Sequence, residues 1–176
     1  MESCNVTAMI MALSYLGYTF PKGNYEQPED NLREFIETAE KNPENHYELS
    51  EYTNRWIGKT VTSFSTNRLI TTIFKELIDG RPVVVSGTFP GFPTRRQKPL
   101  GHIVCLVGAE WEDAEYHGTE TTAQPVRVIW DDPYGNTMED WRSSGNDIVV
   151  NYQFFREWLK PVNNEKVKWG HFFFHV

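Results

Sequence analysis

The apolar positions near the start of the chain fall on one face of a helix. Val6, Met9, Ile10 and Leu13 recur at three- and four-residue spacing, Leu16 continues the stripe, and Gly17 supplies a left-handed stop. Cys4 then sits at the N-terminus of an amphipathic helix running from Asn5 to Tyr15. From Tyr18 to about Ser65 the chain is polar and interrupted by Pro21, Gly23, Pro28 and Pro43, with one helical piece around Leu32, Phe35, Ile36 and Ala39. A second amphipathic segment follows. Leu69, Ile70, Ile73, Phe74, Leu77 and Ile78 share a face, Asn67 is placed to cap it and Gly80 closes it, so the spacing predicts a helix from about Arg68 to Ile78.

Beyond Gly80 the pattern changes. Arg81 to Ser86 reads as a strand because Val83, Val84 and Val85 form an unbroken β-branched run, and Gly87 to Leu100 (GTFPGFPTRRQKPL) reads as a long loop. His102 to Val107 (HIVCLV) is a second buried strand, and Glu110 to Gln124 is a polar, acidic connection. Val126 to Trp130 forms a third strand that delivers Asp131, Asp132 and Pro133. A short helix around Tyr152 to Leu159 and an aromatic strand from Trp169 to Val176 complete the reading. Helices first, then short strands with hairpin-length connections, predict an α+β domain rather than a doubly wound sheet. At 176 residues, one domain over 1–176 is expected.

Charge narrows the partners. With 24 acidic against 17 basic residues the net charge is -7, which repels phosphate backbones and anionic membranes, so nucleic acid is an unsuitable partner. No apolar run approaches the roughly 20 residues that span a bilayer, and Met1, Glu2 and Ser3 do not begin a signal peptide, so neither membrane insertion nor a targeting segment is expected. Six Trp, eight Tyr and eleven Phe are enough for a filled core and for aromatic walls on a cleft.

The two cysteines, Cys4 and Cys105, are expected to be free thiols with different roles. By alternation His102, Val104 and Leu106 face one way and Ile103, Cys105 and Val107 the other, which makes Cys105 a core residue. A thiol at a helix N-terminus feels the positive end of the helix dipole, and a nearby imidazole adds to the preference for thiolate. His102 opens a strand of otherwise apolar residues, where an imidazole is useful only if it faces a cleft. The next strand ends at Asp131 and Asp132, and a carboxylate beside an imidazole completes a nucleophile, base and orienter set. Each element is common alone, and the set carries the information.

The segments SCNVTAMIMALSYLGY, GRPVVVSGTFPGF, LGHIVCLVGAEW and VIWDDPYGNT, in this order, resemble the blocks of the bacteriocin-processing (double-glycine) papain-like cysteine peptidases, and most of all their bacterial and phage hydrolase domains. The resemblance implies a papain-like fold with an N-terminal nucleophile helix packed on an antiparallel sheet. It implies Cys4 as nucleophile, His102 as base and Asp132, the carboxylate next to Pro133, as orienter, with no metal and no cofactor. That family also places a Gln shortly upstream of the nucleophile as an oxyanion donor, and only Met1, Glu2 and Ser3 stand there, so a short N-terminal segment is expected to be missing from this sequence or its donor to be replaced. The implied activity is a cysteine peptidase or amidase. Peptidoglycan stem or cross-bridge peptides are the preferred substrate, a protein or leader peptide is the runner-up, and a binding module of impaired catalysis is the competing class.

Phe89, Phe92, Arg95 and Arg96 on the loop before His102 are expected to wall the site, the arginines suiting a carboxylate-bearing substrate. His171 and His175 share a strand face but have no Cys or carboxylate near them in sequence, so a metal site there is not expected. No phosphate-binding glycine loop and no His-Glu-x-x-His helix is present, which leaves nucleotide and zinc-protease chemistry without support.

Overall fold

The structure is a computed structural model that describes residues 4–89, 100–111, 124–136, 139, 143–159 and 167–175. Helices α1 (Cys4–Tyr15), α2 (Pro28–Thr38) and α3 (His46–Ile57) come first, then strand β1 (Thr62–Leu69), which runs directly into α4 (Ile70–Ile78). Strands β2 (Val83–Phe89), β3 (Leu100–Glu110), β4 (Arg127–Asp131) and β5 (Ile148–Asn151) follow, then α5 (Tyr152–Trp158) and β6 (Val167–Phe173). The strands form one six-stranded sheet in the order β1-β6-β2-β3-β4-β5, antiparallel at every pairing, and the α+β reading holds.

The unbroken valine run of β2 has a simple cause: helices cover both faces of the sheet, so every side chain of the run is buried. Val84 joins Ile103, Cys105 and Phe173 in a core closed by Val6, Met9, Ile10 and Leu13 of α1, Leu32 and Ile36 of α2, and Leu49 of α3. Val83 and Val85 join Val104, Leu106, Val128 and Trp130 in a second core under α4 and α5, filled by Ile73, Phe74, Phe155 and Trp158. Met9 and Leu13 are fully buried, and truncating either to Ala would cost about 2–5 kcal/mol. Burial of the stripe read from sequence therefore fixes α1 on the sheet, and with it the position of Cys4.

Several element boundaries differ from the sequence expectation. Helix α3 lies in the stretch read as mostly irregular. Asn45 caps it, accepting from the N–H groups of Tyr47 and Glu48, and Gly58 ends it in the left-handed region at φ 82°. Asn54 then ties it to the sheet, accepting from the N–H groups of Val61 and Thr62 and donating to the Thr62 carbonyl. Strand β1 was also not anticipated, and it takes Asn67 and Arg68 away from the helix that Asn67 was expected to cap. Arg68 and Leu69 pair with Lys168 and Val167 of β6, so α4 starts only at Ile70. Strands β2 and β3 each run two or more residues further than expected, β2 through Gly87 to Phe89 and β3 from Leu100 to Glu110. Strand β5 pairs with β4 where no strand was expected, and β6 starts at Val167 rather than Trp169 and ends at Phe173.

Candidate active site

Cys4 is the first residue of α1 and is half-buried. His102 lies on β3, on the face shared with Val104 and Leu106, while α1 packs over Ile103 and Cys105 on the opposite face. Cys4, the first residue of α1, lies near enough to the imidazole for the two groups to shift each other's titration. The His102 Nε2 lies 2.7 Å from Asp132 Oδ1, and both side chains are closed to solvent. With Nε2 committed to the carboxylate, Nδ1 is the nitrogen left for the thiol.

Asp132 is held from several directions. Its backbone N–H donates to the Gly145 carbonyl at 2.8 Å, and its own carbonyl accepts from Gly135 at 3.2 Å. Gly145 packs so closely that a methyl group there would lie 2.1 Å from the Asp132 carbonyl oxygen. Its Oδ1 also accepts the N–H of Tyr134 at 2.9 Å, a side-chain-closed turn that aims the carboxylate at β3. Asp131 faces elsewhere, as neighbouring residues of an extended segment must. Its Oδ1 accepts the N–H of Asp147 at 2.8 Å, and burial raises its pKa.

The electrostatics follow from this arrangement. Burial alone would raise the Cys4 pKa, but hydrogen bonds from His102, Tyr134 and the Asn5 N–H, with the His102 charge, bring it below that of an ordinary thiol. Burial alone would lower the His102 pKa, yet the hydrogen bonds and charges of Asp132 and Cys4 push it up to about 8. Thiolate and imidazolium thus stabilise each other. Cys105 is fully buried and its pKa is raised well above the ordinary value, first by burial and then by Asp131, as a core cysteine requires.

Sequence reasoning did not single out Tyr134. Its ring is stacked on the His102 imidazole with centroids 4.7 Å apart and planes 20° from parallel, and burial with the neighbouring Cys4 pushes its pKa up to about 12. The available signal was its place two residues after Asp132, where a turn closed on that carboxylate returns the chain toward the histidine. Of the expected wall residues, Phe92, Arg95 and Arg96 lie outside the described residues, and Phe89 is described only as the backbone end of β2.

His171 and His175 do not share a site. His171 is fully buried and lies 3.0 Å, Nε2 to Nδ1, from His46 of α3, a companion the sequence reading did not find, whereas His175 lies beyond β6 and is exposed. Among the described residues no three His, Cys, Asp or Glu side chains are placed to hold a metal.

Residues 2–160 match the sequence model of the Peptidase_C39 like family. The chain belongs to that family. Its structure is similar to a crystal structure from Bacillus anthracis assigned as a C39-like peptidase, with a TM-score of 0.59 at 15% identity, covering 99% of this chain and 90% of the other. That likeness shows the papain-like fold of this C39-like protein. No curated protein matches the sequence. Family membership and fold support a cysteine peptidase.

Proposed function

We propose that this C39-like protein hydrolyses peptide amide bonds through Cys4, His102 and Asp132. The observation that carries the proposal is the solvent-closed His102–Asp132 pair at 2.7 Å with the Cys4 thiol beside the same imidazole, close enough for each to shift the other's titration. Residues spread over 128 positions of sequence, from Cys4 to Asp132, come together in an order that suits nucleophile, base and orienter.

The Cys4 thiolate attacks the scissile carbonyl carbon, and the oxygen gathers the negative charge. At the start of α1 the backbone N–H groups have no acceptor within the helix, and the N–H of Cys4 is the donor we assign to that oxygen. As the intermediate collapses, the carbon–nitrogen bond breaks and His102 Nδ1 gives its proton to the departing amine. Water then attacks the thioester and passes a proton to His102, and release of the acid regenerates the thiolate and the imidazolium. Asp132 keeps the Nε2 proton on its own side throughout and balances the imidazolium charge.

Cys4→Ala tests this directly. Hydrolysis of peptide amides should disappear while the fold persists, and iodoacetamide should alkylate Cys4 of the unsubstituted protein at neutral pH while sparing Cys105. Undiminished hydrolysis by Cys4→Ala would overturn the proposal. Peptidoglycan stem and cross-bridge peptides, the substrate expected from the sequence, form the first panel, with leader-type peptides as the second. Binding of either panel without turnover would favour the module of impaired catalysis.

A further inference from the structure

Tyr134 stands against all three residues of the proposed triad, and this inference rests on that reading. Its ring covers the His102 imidazole, its backbone N–H donates to the Asp132 oxygen that also binds His102 Nε2, and its hydroxyl is near enough to the Cys4 thiol for the two groups to shift each other's titration. A tyrosine kept only for packing needs the first of these contacts and not the third. A hydroxyl beside a thiol can serve two protonation states, but a hydroxyl beside a thiolate can only donate. The stacked ring also covers one face of the imidazole.

We propose that Tyr134 is a fourth catalytic residue, whose hydroxyl donates to the Cys4 thiolate while its ring and backbone fix the histidine and the aspartate. The remaining groups that meet the thiol are the imidazole of β3 and the Asn5 N–H of α1. Both favour the thiolate as well, so the tyrosine is one of three donors converging on the sulfur. The thiolate is thereby present at lower pH, and each thiolate is a weaker nucleophile than it would be unsolvated. The raised pKa of the phenol fits a donor that stays protonated through the cycle.

Tyr134→Phe keeps the ring and removes only the donor. The measurement is the second-order rate of Cys4 alkylation by iodoacetamide against pH, with modification at Cys4 and Cys105 read separately by mass spectrometry. The midpoint should rise by about one unit, because the thiolate loses a charge-assisted donor and water takes over only part of its role. The rate below the midpoint should then fall ~10-fold, and the plateau above it should equal or exceed that of the unsubstituted protein. Tyr134→Ala should show the same midpoint shift and in addition lose turnover of the bound substrate, seen in kcat more than in KM, because the histidine has lost its cover. An unchanged midpoint in Tyr134→Phe, with Cys4 still selectively alkylated, would overturn the role of Tyr134 and leave the triad standing. Equal slow alkylation of Cys4 and Cys105 in the unsubstituted protein would overturn both.

Discussion

The indole of Trp158 occupies the space where a side chain at Gly87 would stand: a methyl group at that position would lie 2.3 Å from the ring. Gly87 is the residue paired with His102 across the β2–β3 ladder, so the glycine lets α5 close against the sheet beside the proposed base. Gly87→Ala should cost about 1–3 kcal/mol through overpacking, and should disturb the histidine as well as the fold. Urea denaturation checks the first effect, and the rate of Cys4 alkylation at fixed pH checks the second. A variant as stable and as reactive as the unsubstituted protein would show that Trp158 can move aside at no cost.

Asp131 and Asp132 are neighbours with different partners. Asp132 is fully buried against His102, while Asp131 braces the turn at Asp147, a residue at φ 53°, by accepting its N–H. Asp132→Ala should lower kcat/KM by up to roughly 10⁴-fold, the scale known for neutralising the acidic member of a serine triad, with the fold kept. Asp131→Ala should cost about 1 kcal/mol of stability, one net hydrogen bond, and little activity. Peptide hydrolysis and thermal melting on the two variants decide between them. A larger activity loss for Asp131→Ala at matched stability would place the orienting carboxylate one residue earlier.

What could be read from sequence follows a physical boundary. The stripe Val6, Met9, Ile10, Leu13 and the run Val83 to Val85 are local patterns whose burial has one solution, and both appear where expected. Cys4, His102 and Asp132, the proposed triad, stand near element ends that their neighbours mark in the sequence. The start of α4 was misplaced because Asn67 looks like a cap in one dimension, and only the pairing of Arg68 and Leu69 with β6, about a hundred residues away, makes it strand. Helix α3 carried its signals, Asn45, Glu48 and Gly58, but its amphipathic face is interrupted by polar residues, with Ser50 and Thr53 buried beside Leu49 and Tyr52. The contacts of the Tyr134 ring and of the His46–His171 pair were illegible for a common reason, although the turn after Asp132 pointed to the place of Tyr134. Their roles consist of contacts between chain segments, and nothing in their immediate sequence requires those partners.

The His46–His171 pair predicts an acid limit to stability. Burial, and for His171 also the charge of its neighbour, lowers both pKa values, that of His171 far below 6.5. The unfolded chain takes up protons at these residues below about pH 6.5, whereas the folded chain does not until lower pH. Stability is therefore complete above 6.5 and lost as pH falls below it, at up to about 1.4 kcal/mol per pH unit for each group. His171→Leu removes one of these groups and relieves the other of a positive neighbour. Melting temperature should then fall less steeply from pH 6.5 to 5 in His171→Leu than in the unsubstituted protein, and equal slopes would exclude the pair as the cause.

The alkaline side belongs to His102. Its pKa of about 8 is the outcome of burial, which lowers it, against the hydrogen bonds and charges of Asp132 and Cys4, which raise it further. In the proposed mechanism the imidazole carries, below that value, the proton that the leaving amine needs, and above it that proton is gone. Peptide hydrolysis should accordingly fall as pH rises through about 8, although thiolate itself becomes more abundant there. Asp132→Asn keeps a side chain of the same shape but removes the negative charge, so the imidazolium loses support and its pKa should move down by about one unit or more. Imidazole signals followed by NMR through the titration report this in the unsubstituted protein and in Asp132→Asn alike, without relying on turnover of the weakened variant. A His102 titration near 6.5 in both proteins would mean that the carboxylate positions the ring without tuning it, and the alkaline fall in activity would then have to come from another group.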